Sequence, residues 1–270
     1  MSVPASTVLR MDFHALHAGV QPLVLPNAWD FTTAAALVEA GFDAIGTTSL
    51  GVAAAHGVPD GTASTRRETF DLASRLVDLP VPITVDIEAG FGLEPEEIGD
   101  YAAQLAELGV AGINIEDELC DPELHERRIT EIRSRAPGLF LNARADPYWL
   151  GSDPQLPDAL ERARRYAAAG ASGVFVPGIS AEDEVRALVG AVDVPVNVLY
   201  KPGQSVEELA AMGVRRISTG SLLYRAALNA AVSTAREIRS GGATAADVPG
   251  YRALQDYIIG GRRRGSGGLK

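Results

Sequence analysis

The chain has 270 residues, 46% of them hydrophobic and 22% charged, with a formal net charge of −11 and one cysteine. That acidic balance argues against a nucleic-acid partner, which needs a basic face, and a lone Cys120 forms no internal disulfide, so a reducing cytoplasm is the expected setting. No stretch supplies the roughly 20 consecutive apolar residues of a membrane span, and the N-terminus lacks the apolar core of a signal peptide.

Short β-branched runs alternate with longer segments of helical period. After an N-terminal helix carrying His14 and His17, read as structural, the first run is PLVLPNA (22–28), followed by DFTTAAALVEAGF. The second, DAIGTTS (43–49), leads into a small-residue loop, LGVAAAHGVPDG, that reaches Asp60, and then the helix RETFDLASRLVDL. Next come PITVDIEAG (82–90) with EPEEIGDYAAQLAELGV, and AGINIEDE (111–118) with DPELHERRITEIRSRA. GLFLNARAD (138–146), SGVFVPG (172–178), VPVNVLY (194–200) and RRISTG (215–220) complete eight runs, each again followed by a helical segment. SLLYRAALNAAVSTAREIRS reads as a long final helix whose apolar face (Leu222, Leu223, Ala226, Ala227, Ala230) suits a partner subunit, and a short helix is expected in AADVPGYRALQDYIIG.

Gly41, Gly109, Gly170 and Gly213 each sit where a helical pattern stops, the position of a left-handed helix terminator. Eight strand–helix units with near-continuous apolar strands predict an α/β fold, a (β/α)8 TIM-type barrel with an extra C-terminal helix. The competing doubly wound sheet lacks a GxGxxG after the first strand. One domain is expected over residues 1–260, with a flexible basic tail over 261–270.

In such a barrel the chemistry lies where the strands end. Strand one ends in Asn27, Trp29 and Asp30; strand two in Thr47, Thr48 and Ser49; strand three in Asp86 and Glu88; strand four in Glu116, Asp117 and Glu118; strand five in Asn142, Arg144 and Asp146; strand seven carries Asn197. Carboxylates crowding one mouth repel one another unless a cation neutralises them, and Mg2+ takes carboxylate and water oxygens. Asp86 and Glu88 share a strand face by period two, with Glu116 on the next strand. The four histidines show no zinc spacing with Cys120. Asp117 and Glu118 read as loop or capping charges, and Cys120 as a small residue at a loop edge.

LPNAWD, GTTSLGVAAAHGVPDG, DIEAGFG, GINIEDE and NARAD, in that order, make the chain resemble the isocitrate lyase and phosphoenolpyruvate mutase superfamily across nearly its whole length. The resemblance implies Mg2+, with Mn2+ as a substitute, held by Asp86 and by Glu88 and Glu116 directly or through water. It implies that Asp60 closes over the metal waters, and that Thr47, Thr48 and Ser49 hold a substrate oxo-carboxylate. It implies further that Arg144 pairs with a substrate carboxylate or phosphonate, with Trp29 and Asn197 completing the substrate site, and that the subunits form a dimer or tetramer. The lyases' K-x-C-G-H gate is absent: the segment here is EDELCDPELHERR. Three functions stay open: cleavage of a C–C bond in a small 2-oxo or 2-hydroxy acid or di-acid through an enolate, C–P chemistry on a phosphonate, or binding of an oxo acid without turnover.

Overall fold

The computed structural model describes residues 12–152, 156–242 and 248–265, with side chains described through residue 260. The strands are β1 (Leu23–Leu25), β2 (Asn27–Ala28), β3 (Ile45–Thr47), β4 (Ile83–Asp86), β5 (Gly112–Glu116), β6 (Phe140–Arg144), β7 (Gly173–Phe175), β8 (Val196–Leu199) and β9 (Arg216–Ser218). The helices between them are α1 (Phe31–Glu39), α2 (Ser49–Ala55), α3 (Arg66–Leu76), α4 (Pro95–Leu108), α5 (Pro122–Arg135), α6 (Leu156–Ala168), α7 (Glu182–Ala191) and α8 (Val206–Ala211). Beyond β9 lie α9 (Leu222–Arg239) and α10 (Tyr251–Gly265).

All neighbouring strands run parallel, in the order β1-β9-β8-β7-β6-β5-β4-β3-β2. The first predicted run is divided at Pro26: β1 pairs with β9 and β2 with β3, so one stretch of chain closes both sides of a (β/α)8 barrel. Proline has no N–H to donate to a ladder. Asn27 bridges the seam instead. Its Oδ1 accepts from the amides of Thr219 (3.0 Å) and Gly220 (2.9 Å), and its Nδ2 donates to the Thr47 carbonyl at 2.7 Å.

The helix ends follow the sequence. Gly41, Gly109, Gly170 and Gly213 all take φ between +90° and +111°, which an L side chain rarely adopts. Asp30 caps α1 by accepting from Thr33 N at 2.7 Å, and Ser205 with Glu208 forms a reciprocal box on α8. The stretch after β3, expected as a loop, instead opens with α2: the alanine-rich run from Ser49 has enough helix propensity to coil until Gly57 turns it at φ +72°. α10 packs on α1 and its backbone stays helical through Gly265, so residues 261–265 of the expected tail are helical; residues 266–270 lie outside the described set. No residue of α9 is buried, and Leu228 and Ile238 stand 55% and 62% exposed.

The main core lies between the strands and the outer helices. A smaller cluster of Phe13, Leu23, Leu25, Ala44 and Phe140 plugs the barrel's N-terminal end. There His17, on a short 3-10 turn (Ala15–His17), stacks on the Phe140 ring at 4.0 Å and donates from Nδ1 to the Phe13 carbonyl at 2.8 Å. Behind the sheet His125 is wholly buried on α5, edge-on to Tyr166, and neither ring nitrogen has a hydrogen-bond partner. Burial pulls the pKa of both histidines down to about 3, and the nearby Arg216 charge adds to the effect at His17. A folded-state pKa below the unfolded value near 6.5 means the unfolded chain takes up protons first. Stability should therefore fall as pH drops from 6.5 toward 3, by about 2 kcal/mol per histidine at pH 5. Urea melts at pH 7.5 and pH 5 check this: His125→Met should remove about 2 kcal/mol of the acid loss, whereas an unchanged loss would refute the assignment.

Candidate active site

A cavity of about 340 Å³ opens where the strands end, a volume ordinary for a small-molecule site. Three adjacent strands deliver its charged floor. Asp86 ends β4, Glu116 ends β5 and Arg144 ends β6, with Glu116 and Arg144 directly opposed in register. Asp60, Glu88 and Glu118 also line it, so the cavity holds five carboxylates and, among its described lining residues, Arg144 as the one cation.

The position of Glu88 is set by its backbone. A φ of +50°, unusual for a residue with a side chain, turns its carboxylate to accept from Ala63 N (3.1 Å) and Thr65 Oγ1 (2.8 Å), tying down the segment before α3. Asp86 Oδ1 accepts from Glu88 N at 3.1 Å, and the Asp86 amide donates to Thr47 Oγ1 at 2.9 Å. Its second carboxylate oxygen has no hydrogen-bond partner among the described residues. Burial first, then the charges of Asp60 and Glu88, push the Asp86 pKa up to about 6, with Arg144 opposing. Burial and the charge of Asp86 likewise hold Glu116 well above the usual carboxylate range. Arg144 ion-pairs with Glu116 and donates from Nε to Asp146 Oδ1 at 2.6 Å; burial disfavours its charge, but these carboxylates more than offset that and raise its pKa. Its guanidinium lies 5.8 Å from the Trp149 ring centre, a cation–π contact.

The arrangement fits a hard divalent cation in a particular way. Oxygen donors with an excess of negative charge suit Mg2+, which keeps several waters and needs only one or two carboxylates. Among the described residues, no three His, Cys, Asp or Glu side chains converge closely enough to hold a metal ion directly. Glu88 is held by Ala63 and Thr65, Glu116 by Arg144, and Asp86 retains a free oxygen, an arrangement compatible with the water-mediated form of the expected ligation.

Other expectations divide. Thr47, Thr48, Ser49 and the exposed Asp60 are on the cavity wall. Trp29 is not among the lining residues: its ring packs edge-on against Tyr224 on α9 at 5.1 Å, and its Cβ lies close against Gly51 of α2. Asn197 also lies off the wall, buried one step below, where its amide exchanges hydrogen bonds with Ser218 Oγ. Cys120 does not line the cavity, and burial raises its thiol pKa, which disfavours a reactive thiolate.

The reading of Asp117 as a loop or capping charge is also corrected. It is fully buried and accepts from Arg162 (2.8 Å), the Tyr166 hydroxyl (2.6 Å) and the amides of Leu119 and Asp146 (both 3.1 Å). Asp146 in turn accepts from Arg144 and from Glu118 N. The chain of contacts from α6 through Asp117 and Asp146 thus aims the cavity's arginine. Trp149 and Leu150 were missed as well, although two apolar residues in a strand-to-helix loop, DPYWLG, are themselves a signal.

Fold and site together define a (β/α)8 barrel with an acidic, oxygen-donor cavity at its strand ends. The phosphoenolpyruvate phosphomutase family model matches residues 13–239, and the chain belongs to that family. It is 45% identical over 253 residues, 92% of this chain and 96% of the relative, to an uncharacterised protein of Mycobacterium tuberculosis. Over 188 residues, 64% of this chain and 61% of the other, it is 31% identical to the 2-methylisocitrate lyase of Halalkalibacterium halodurans. A phosphonopyruvate hydrolase crystallised with oxalate and Mg2+ shares the fold with a TM-score of 0.82 at 22% identity, over 94% of this chain and 95% of that one. Lyases and mutases are thus the company this chain keeps, and an enzyme is the class they support.

Proposed function

We propose that the protein is a Mg2+-dependent lyase or hydrolase that cleaves a C–C bond in a small 2-oxo or 2-hydroxy acid by way of an enolate. The observation that carries this reading is the free oxygen of Asp86 in a cavity of five carboxylates whose one cation among the described lining residues, Arg144, is already shared by Glu116 and Asp146. Such a cavity repels an acid substrate unless a cation joins it. Asp86 would hold the ion, with Glu88 and Glu116 reaching its waters; when bound, it supplies the Lewis acid that stabilises an enolate oxygen.

The chain's own residues supply the rest. Thr47 fixes the Asp86 backbone through its hydroxyl, and Glu88 fixes the flanking segment through Thr65. Arg144, aimed by Asp146 and paired with Glu116, offers its remaining guanidinium N–H groups to a substrate carboxylate. The barrel floor excludes water below the carboxylates and keeps their field strong. With Cys120 off the wall and its thiol protonated, the proton returned to C3 comes from water. The phosphonate reading shares these parts and draws on the family's name, without an observation of its own.

Calorimetric titration of oxalate, a mimic of the pyruvate enolate, tests the reading. Binding should be at least tenfold tighter with Mg2+ than without it. Equal binding in both conditions would end the metal–enolate account.

A further inference from the structure

Resting on that reading, we infer that the substrate is a 2-oxo mono-acid whose C4 bears a hydroxyl or carbonyl and whose group beyond C4 is uncharged and apolar; it is not a di-acid or a phosphonate. The C3–C4 bonding pair then passes to the enolate while C4 departs as an aldehyde or, with water, as a carboxylic acid. The argument is the asymmetry of the cavity. Its floor is charged, but Trp149 and Leu150 after β6, Phe175 and Pro177 at β7 and Leu199 at β8, consecutive around the barrel, give it an apolar side. Trp149 and Leu150 stand 54% and 50% exposed on that side, an apolar surface left uncovered beside a polar floor. One anionic group satisfies the available positive charge, because Arg144 is already paired twice over. A second carboxylate or phosphonate lying against the wall would lose hydration and meet no cation.

The other cations near the barrel mouth lie off the cavity wall, Arg128 among them, which is bonded to Cys120 Sγ. Arg216 is fully buried beneath the cavity, donating to Asn114 Oδ1 and Ser218 Oγ. Lys201 donates to the Gly178 carbonyl and Ser180 Oγ, and it does not line the cavity. Arg225 sits on exposed α9, bonded to the hydroxyl of Ser221, which does line the cavity. It therefore enters the test.

Calorimetry in Mg2+ would compare pyruvate, 2-oxobutanoate, 2-oxopentanoate and 2-oxohexanoate with oxaloacetate and 3-phosphonopyruvate, with oxalate as the control. Each added methylene should tighten binding about fourfold if the wall covers it. The two dianions should bind no tighter than pyruvate, and Leu150→Asn should cut the gain per methylene to less than about twofold. Oxalate that binds while affinity stays flat or falls with chain length would overturn the inference and leave the metal–enolate reading standing. So would dianions binding more than tenfold tighter than pyruvate, decisively if Arg225→Met removes that preference. Absence of Mg2+-dependent oxalate binding would overturn both.

Discussion

Asp86→Asn should abolish Mg2+-dependent oxalate binding and lower any turnover by about three orders of magnitude or more, yet leave the metal-free protein at least as stable as wild type. The first half follows from donor chemistry: the variant replaces a buried strand-end carboxylate, one oxygen of which has no protein partner, by a neutral amide, and loss of a Lewis-acid site is worth several kcal/mol in a transition state. The second half follows from crowding. Asp86 ionises only against burial and the charges of Asp60 and Glu88, which lift its pKa to about 6. Because that lies above the unfolded value near 3.9, the folded chain at neutral pH bears a cost that the neutral isostere removes. Thermal melts should show wild type stabilised by Mg2+ and Asp86→Asn indifferent to it. A variant that melts well below wild type without metal would show that Asp86 is a structural carboxylate instead.

The same residues show what a sequence discloses and what it hides. Glycines 41, 109, 170 and 213 announced helix ends because only a residue without Cβ takes their positive φ at little cost. The order of apolar runs put Asp86 and Glu116 at neighbouring strand ends, and β4–β5 pairing brings them to one cavity. The closure at Pro26 was hidden, since which strand each half of PLVLPNA joins is decided by a partner roughly 190 residues away, at Thr219. So was the left-handed turn at Glu88, which sends a predicted ligand to Ala63 and Thr65. Trp29 and Asn197 lie just off the cavity wall, where Tyr224 and the Ser218 hydroxyl hold them.

Asp117 is the furthest case, and it carries the largest stability effect expected here. Its partners Arg162 and Tyr166 are 45 and 49 residues downstream on α6, so nothing near it in sequence distinguishes it from a helix-capping acid. Asp117→Ala strands a nearly buried guanidinium and a phenol, and removing one partner of such a pair costs about 3–5 kcal/mol. Arg162 also holds Asp158 at 3.0 Å, an exposed contact too weak to replace the buried one. Replacing both members should hurt less than replacing the acid alone: Asp117→Ala with Arg162→Met should recover at least about 1 kcal/mol of the loss in urea melts. The effect should also reach the cavity. Asp117 anchors the Asp146 amide, and Asp146 aims Arg144, so the double variant, though folded, should bind oxalate about tenfold more weakly in Mg2+. Wild-type oxalate affinity in that variant would mean that Arg144 is positioned by Glu116 alone and that the buried network serves the fold only.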